Sequence, residues 1–536
     1  MIEKTIGKVL DESAEKYPNN DALVYLNGIR YTYKKFREIV NQTAKGLLKL
    51  GIRKGDHVAV WAYNVPEWVI LQFVTAKIGA VLVTVNTYYK AAELEYLLKQ
   101  SDTKILFLVE KFKDVNYVET LYKVMPEIKK EKKAENFPYF EKAIFIGKEK
   151  YAGMLNFNDI LDMGKEISDE ELHEIENSLS CHDVVNMQYT SGTTGFPKGV
   201  MLSHYNIVNN AYWVGHYLKL SHKDRMCIPV PFFHCFGCVL STLNCVIYGA
   251  TMVPIEIFNA EKVLMTIDKE KCTVLQGVPT MFVKELNHPD FEKYNLSSLR
   301  TGIMAGAPCP IEVMKRVIED MNAREITIAY GLTEASPVIT QTKTDDPLDK
   351  RVETVGKPLP HIEVKIVDPQ TGKELPYNMP GELIAKGYNI MKGYYKMPEA
   401  TAKTIVDGWL HTKDLAMMDR DGYIRILGRV DDMIIRGGEN VYPREIEEFL
   451  YRHPKIKEVQ VVGVPSKEYG EEVAAFIQLK DGMEASEEEI KQFCKENIAR
   501  YKVPKYIFFI NEWPMTASGK IQKFKLREIA KEKLGR

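Results

Sequence analysis

Apolar residues along the first third of the chain alternate between two spacings. His57–Ala62 (HVAVWA) is a short run of β type, and Pro66–Ala80 (PEWVILQFVTAKIGA) is long enough for a helix, with proline tolerated in its first turn. Val81–Val85 returns to strand character, Ala91–Gln100 repeats at helical spacing, and Lys104–Val109 (KILFLV) is strand again. Strands and helices alternating through short connections imply parallel strands joined by crossovers. The same alternation recurs at Cys272–Leu275, Leu299–Met304, Val313–Met321 and Glu325–Ala329, so a doubly wound α/β body of roughly 400 residues is expected. The last hundred residues differ. Tyr423–Leu427 reads as a strand and Met433–Val441 contains Arg436-Gly-Gly. Pro443–Arg452 reads as a helix, Glu458–Val462 and Val473–Leu479 as strands, Glu487–Ile498 as a helix and Tyr506–Ile510 as a strand. That is a compact α+β unit, and the predicted division is 1–430 and 431–536.

Two features compete with a soluble reading. Met226–Ile255 contains no Asp, Glu, Lys or Arg, and a bilayer crossing needs only ~20 apolar residues. Pro229, Pro231, His234, Gly237 and Asn244 interrupt it, so a segment buried in the α/β core is expected instead, with no integral membrane segment. The Cys235–Cys238 pair inside it lacks the second pair or the setting that redox or zinc use requires. Lys129–Glu135 and the acidic stretch Glu166–Glu176 read as solvated faces. Lys plus Arg is 72 against 73 Asp plus Glu, a net charge of -1 that gives no support for nucleic-acid binding. Eight cysteines are too sparse for a disulfide scaffold, and the opening MIEKTIGKVLDESAEKYP has no apolar core of a secretory signal, so a cytoplasmic protein is expected.

The strongest local chemistry lies in Tyr189-Thr-Ser-Gly-Thr-Thr-Gly-Phe-Pro-Lys-Gly199. Four hydroxyl residues, Thr190, Ser191, Thr193 and Thr194, stand among Gly192 and Gly195. Backbone N–H and side-chain O–H groups of such a loop can surround phosphate oxygens, and Lys198 adds a point charge. A Walker A loop fails, because Pro197 stands where its second glycine would be and Gly199 follows Lys198 in place of Ser or Thr.

YTSGTTGFPKG resembles the phosphate-loop signature of the adenylate-forming superfamily, which includes acyl-CoA synthetases, and the pattern is most similar to medium-chain fatty acyl-CoA synthetases. Further motifs follow in that family's order: Pro231-Phe-Phe-His-Cys-Phe-Gly237, Gly306-Ala-Pro308, Tyr330-Gly-Leu-Thr-Glu-Ala335, Gly381-Glu-Leu383, Trp409-Leu-His-Thr-Lys-Asp414, Gly428-Arg-Val-Asp-Asp432 and Pro514-Met-Thr-Ala-Ser-Gly-Lys520. The resemblance implies that doubly wound sheets are joined by a distorted β-barrel in the large unit, and that the small C-terminal unit is mobile. It implies that Glu334 and Thr194 hold Mg²⁺, which takes few carboxylates and otherwise phosphate oxygens and water. Thr333 would touch the α-phosphate, Tyr330 and Gly331 with Gly306, Ala307 and Pro308 would meet adenine, and Asp414 the ribose, with Arg429 reaching ribose and phosphate or else capping the domain junction. The family often has glycine before this aspartate, whereas here it is Lys413. Lys520 would bridge the carboxylate and the α-phosphate, where a cation offsets the repulsion of two anions.

The implied reaction is carboxylate plus ATP to acyl-adenylate and pyrophosphate, followed by thiol attack and release of AMP. The resemblance implies two conformations with a hinge at Asp431, the second bringing Arg436, Gly437, Gly438 and Glu439 to coenzyme A. Sixteen residues follow Lys520, so a free-standing thiol is expected: CoA first, a separate acyl carrier protein second, a luciferase-like oxidative fate third. A catalytically inactive binding protein predicts loss of Lys520 or Glu334, and both are present. A homodimer is one assembly open to the chain. Acetate-type members carry tryptophan where this chain has Gly331, which implies a deeper acyl pocket lined by His234, Phe236, Gly302, Ala305, Gly331 and Val338. Trp213 and Tyr217 are candidates for another wall or for core packing. A medium-length or branched aliphatic acid is the first choice and an aromatic acid the alternative.

Overall fold

The computed structural model describes residues 1–190, 197–437, 439–516 and 519–535. Two large sheets form the body. In the nine-stranded sheet, six strands run parallel: Asp21–Val24, Thr251–Pro254, Arg225–Ile228, Val274–Gly277, Thr301–Ala305 and Glu325–Gly331, with antiparallel strands at both edges. The eight-stranded sheet is parallel through Val184–Thr190, Val81–Thr84, His57–Trp61, Thr103–Leu108, Lys142–Phe145 and Met154–Asn156. Its strands read as continuous apolar runs because helices cover both faces, and Val58–Trp61 is fully buried. Where a distorted β-barrel was expected, the strands form an open five-stranded antiparallel sheet that includes Gly381–Gly387, Trp409–Met418 and Ile424–Arg429.

Helix Pro66–Ile78 is apolar all round because it lies between layers, and Gly79 ends it in the left-handed conformation (φ 72°). Its one buried cation is paired: Lys77 Nζ lies 2.7 Å from Asp11 and 2.6 Å from Glu176, with the lysine side chain 0% exposed. This corrects the reading of Glu166–Glu176 as a solvated face, since the last residue of that run closes a buried ion triad. An unpaired charge here would carry a desolvation penalty of several kcal/mol. Met226–Ile255 is buried as expected, forming two parallel strands around a helical stretch whose middle, Cys238–Leu243, is π-helical. All eight cysteines are free, and Cys235 and Cys238 are buried thiols. No described helix is long and apolar enough to cross a membrane.

Beyond a 3₁₀ turn at Val430–Asp432 the chain builds a separate mixed sheet from Ile434–Arg436, Glu439–Val441, Ile456–Ser466, Gly470–Leu479 and Tyr506–Phe509. Helices Pro443–Leu450 and Lys523–Lys533 cover it, and its apolar clusters contain only residues from Ile434 onward.

One buried group is strained electrostatically. Glu285, on helix Pro279–Leu286, is 1% exposed and neither carboxyl oxygen has a hydrogen-bond partner among the described residues. Burial pushes its pKa from 4.5 up to about 8. Between those two values the folded chain holds a proton that the unfolded chain has lost, so stability falls as pH rises through this window, by ~1.4 kcal/mol per pH unit. Glu285→Gln has no proton to lose. Its stability advantage in urea unfolding should widen steadily from about pH 5 to about pH 8; a constant difference would show that Glu285 does not titrate as a buried acid.

Candidate active site

The candidate residues converge beyond the carboxyl ends of the parallel strands, the usual location for ligands in open α/β sheets. Strand Val184–Thr190 ends at Thr190, which is in register with Lys198 at the start of the antiparallel strand Lys198–Ser203. Ser191, Gly192, Thr193, Thr194 and Gly195 lie outside the described residues. The paired ends of the loop nevertheless fix where it leaves and re-enters the sheet. Lys198 Nζ stands 4.7 Å over the ring of Tyr394, whose short strand Gly393–Tyr394 pairs with Lys198–Ser203.

Tyr394 also donates its hydroxyl to Glu334 Oε1 at 2.8 Å, and the Glu334 carbonyl accepts from Met391 N–H at 2.9 Å. One segment therefore holds both the loop lysine and the 3₁₀ turn Thr333–Ala335 that carries Thr333 and Glu334. Tyr394 belongs to none of the quoted motifs. Its partner is 60 positions away, so no local spacing announces it.

A second cluster forms around Asp414: Tyr330 donates to Asp414 Oδ2 at 2.6 Å, and Arg429 Nε lies 3.3 Å from Asp414 Oδ1. Asp414 and Arg429 face each other across adjacent antiparallel strands, which puts the pair in register through the backbone. Burial pushes the Asp414 pKa up, while Arg429, the Tyr330 hydroxyl and Lys520 pull it back. Lys413 occupies a left-handed conformation (φ 59°), and its N–H donates to Glu382 Oε1 at 3.0 Å. Glycine before the aspartate would take that conformation without strain; here a lysine takes it and the carboxylate stays in place.

Lys520 enters this cleft from the C-terminal unit. It sits at the end of a tight loop in which Thr516 N–H donates to the Lys520 carbonyl at 2.7 Å, and Thr280 Oγ1 of the large unit donates to the Gly519 carbonyl at 2.9 Å. A Cβ on Gly306 (φ 85°) would lie 3.4 Å from Lys520 Cε, so the bare backbone there leaves the lysine stem its path. Lys520 remains exposed to water, with protein packed around its stem. Partial desolvation by that packing lowers its pKa, Asp414 raises it, Arg429 lowers it and Glu334 raises it. Ala307 is half-buried and Pro308 exposed beside Gly306. Burial holds His234 at about 3, hence neutral, with Lys520 acting in the same direction.

The remaining candidates divide. His234 and Phe236 are half-buried, and Ala305 and Val338 are buried at strand ends next to the cleft. Gly302 is packed inside the sheet near its middle and offers no wall. Gly331 faces the cleft, but a Cβ there would fall 1.8 Å from the Pro337 carbonyl oxygen. Backbone crowding therefore demands glycine at this position, and pocket depth cannot be inferred from the missing side chain alone. Trp213 packs among Tyr212, His216 and His361.

Arg436, Gly437 and Glu439 lie on the edge hairpin of the C-terminal sheet; Gly438 is outside the described residues. Arg436 pairs with the buried Glu472 at 2.6 Å and lies 4.5 Å over Tyr469, and Gly437 N–H donates to the Tyr469 carbonyl at 2.8 Å. These bonds are internal to the C-terminal unit. Asp431 stands in the 3₁₀ turn between the two units.

Residues 10–395 match the profile of the AMP-binding enzyme family and residues 445–520 that of the AMP-binding enzyme C-terminal domain. The chain is 58% identical over 534 residues, 98% of its own length and 97% of the other, to YngI of Bacillus subtilis (strain 168), whose name carries a provisional acyl-CoA synthetase assignment. It is 43% identical over 540 residues, 98% of its length and 87% of the other, to the mitochondrial medium-chain acyl-CoA ligase ACSF2 of Macaca fascicularis. Among solved structures, the anthranilate CoA ligase AuaEII in complex with anthranoyl-AMP superposes with a TM-score of 0.87 at 29% identity, covering 100% of this chain and 99% of that one. With a cleft of this composition and matches that run nearly end to end, the chain belongs to the AMP-binding enzyme family.

Proposed function

We propose that this protein joins a medium-chain or branched aliphatic carboxylic acid to coenzyme A at the expense of ATP, through an acyl-adenylate. The observation that carries the reading is the docking of Lys520, from one unit, beside Gly306 and the Thr280–Gly519 hydrogen bond of the other, where its charge meets those of Asp414, Arg429 and Glu334. The substrate carboxylate attacks the α-phosphorus of ATP in line, and the bond to pyrophosphate breaks. Both reactants are anions, and a preorganised ammonium between them lowers the barrier without having to gain or lose a proton. Asp414 accepts from the ribose hydroxyls, and the loop from Thr190 to Lys198 cradles the phosphates. In the second half a thiol attacks the acyl carbon, its proton goes to solvent, and AMP leaves.

Glu334 and Thr194 are the residues proposed to hold Mg²⁺. No group of three or more His, Cys, Asp or Glu capable of holding a metal exists among the described residues. One carboxylate, its Oε1 hydrogen-bonded to Tyr394, suits an ion bound chiefly by phosphate oxygens and water. When bound, the ion would neutralise phosphate charge. The units 1–430 and 431–536 are proposed to turn about Asp431 between the two halves, bringing Arg436–Glu439 to the thiol as Lys520 withdraws. A cytoplasmic setting goes with this reading, since all eight cysteines are free.

Three measurements test the proposal. Lys520→Ala should lose acyl-AMP synthesis by on the order of 100-fold and still convert supplied acyl-AMP and CoA to thioester; equal loss of both halves refutes the division of labour. Tyr394→Phe removes a hydrogen bond to a carboxylate. It should slow adenylation about tenfold and raise the Mg²⁺ concentration needed for half-maximal rate, with thioester formation from acyl-AMP unchanged. An unaltered Mg²⁺ dependence would mean Tyr394 does not position Glu334 for the ion. Finally, kcat/KM for CoA-thioester formation across straight-chain acids from acetate to decanoate, with branched acids and benzoate alongside, should peak among medium or branched chains. A peak at acetate or at benzoate overturns the substrate assignment.

A further inference from the structure

Helix Ile311–Asp320 of the large unit begins directly after Pro310, and no side chain of its own N-cap bonds to its first turn. The first N–H groups of any helix lack partners within it, and negative charge is favoured there. Here the partner comes from 137 positions further along the chain: Glu448 Oε2 accepts from Ile311 N–H at 3.3 Å. Glu448 lies on helix Pro443–Leu450 of the C-terminal unit, next to Arg444, whose Nε is 3.7 Å from Glu448 Oε1. Arg444 Nη1 in turn donates to the Ile426 carbonyl, on strand Ile424–Arg429 before the 3₁₀ turn, at 3.0 Å. One turn of helix thus grips the large unit twice. A third tie, Thr280 Oγ1 to the Gly519 carbonyl, stands immediately beside Lys520.

We infer that Glu448 is a positioning residue for adenylation: by capping the Ile311 helix across the junction, it holds the C-terminal unit in the arrangement that delivers Lys520 to Asp414 and Glu334. The inference rests on the proposed division of the reaction between two arrangements. Its chemistry suits a contact made and released in each cycle. The Glu448 and Arg444 side chains are 20% and 14% exposed here, so rotation of the C-terminal unit would return both charges to water as the contacts break. Burial raises the Glu448 pKa while Arg444 and the Ile311 N–H lower it, which shows the two ties competing with desolvation.

The test uses full-length enzyme and two independent substitutions. Glu448→Ala removes the acceptor. Ile311→Pro removes the donor at the first helical position, where proline is tolerated, and leaves Glu448 intact. Each should slow single-turnover pyrophosphate release about tenfold while thioester formation from supplied acyl-AMP and CoA keeps its rate or rises. Glu448→Gln, which keeps an acceptor oxygen, should recover part of the loss. Unchanged adenylation in both variants, or equal slowing of both halves, overturns the latch. Lys520→Ala measured alongside separates the two levels. If it divides the half-reactions and Glu448→Ala does not, the latch alone falls; if neither divides them, the two-arrangement reading falls with it.

Discussion

Bringing a carboxylate up to a triphosphate is opposed by charge, and on the proposed reading the molecule is organised around a cation placed where those anions would meet. Two like unit charges at ~4 Å repel by about 4 kcal/mol at the effective dielectric of a protein surface. On the proposed reading Lys520 stands where this repulsion would be met; its charge interacts with those of Asp414, Arg429 and Glu334, and it arrives on a loop of a separate unit. A lysine fixed in the large sheets would occupy the cleft in every step. On the proposed reading, carrying it on the small unit lets the same cleft serve a second reaction once the lysine has gone.

That arrangement requires a rigid frame on one side and a releasable contact on the other. The frame is the pair of parallel sheets, whose central strands are buried on both faces and whose carboxyl ends carry Thr190, Gly306 and Tyr330. Its stiffness extends to the site through specific bonds: Glu334 is tied by both Tyr394 and Met391, and Asp414 by Tyr330 and Arg429. The Lys77–Asp11–Glu176 triad does comparable work far from the site, joining three helices through one buried ammonium. The junction is different in kind. Among its contacts are single hydrogen bonds donated by Thr280 and Arg444 and one accepted by Glu448, each contributing on the order of 1–3 kcal/mol when charge is involved, a size that a change of ligand can reverse.

Much of the fold was legible because its signals are local. Apolar runs at strand and helix spacing located His57–Trp61, Pro66–Ile78, Val81–Thr84, Ala91–Gln100 and Thr103–Leu108 to within about two residues. The proline and polar interruptions of Met226–Ile255 argued against a membrane span, and that segment is core. The chemistry of phosphate binding also has a local composition, glycines and hydroxyls with a lysine, and the ordered motifs carried the family. Where the reading went astray, a contact that only folding makes decided the matter. Glu176 looked solvated until Lys77 was found beside it, and Gly331 looked like an opened pocket until the Pro337 carbonyl was found against it.

The amino-acid sequence by itself thus determined the α/β class, the separate C-terminal unit, the family and the residues whose chemistry is of the right type. Tertiary structure alone decided which of them meet. It brought Lys520 to Asp414, set Tyr394 between Lys198 and Glu334, bonded Arg436 to Glu472 within the C-terminal unit, and joined Glu448 to Ile311. The reason is physical. Periodicity and loop composition are properties of neighbours along the chain, whereas burial, pairing of charges and close approach of backbones depend on atoms that only folding makes neighbours.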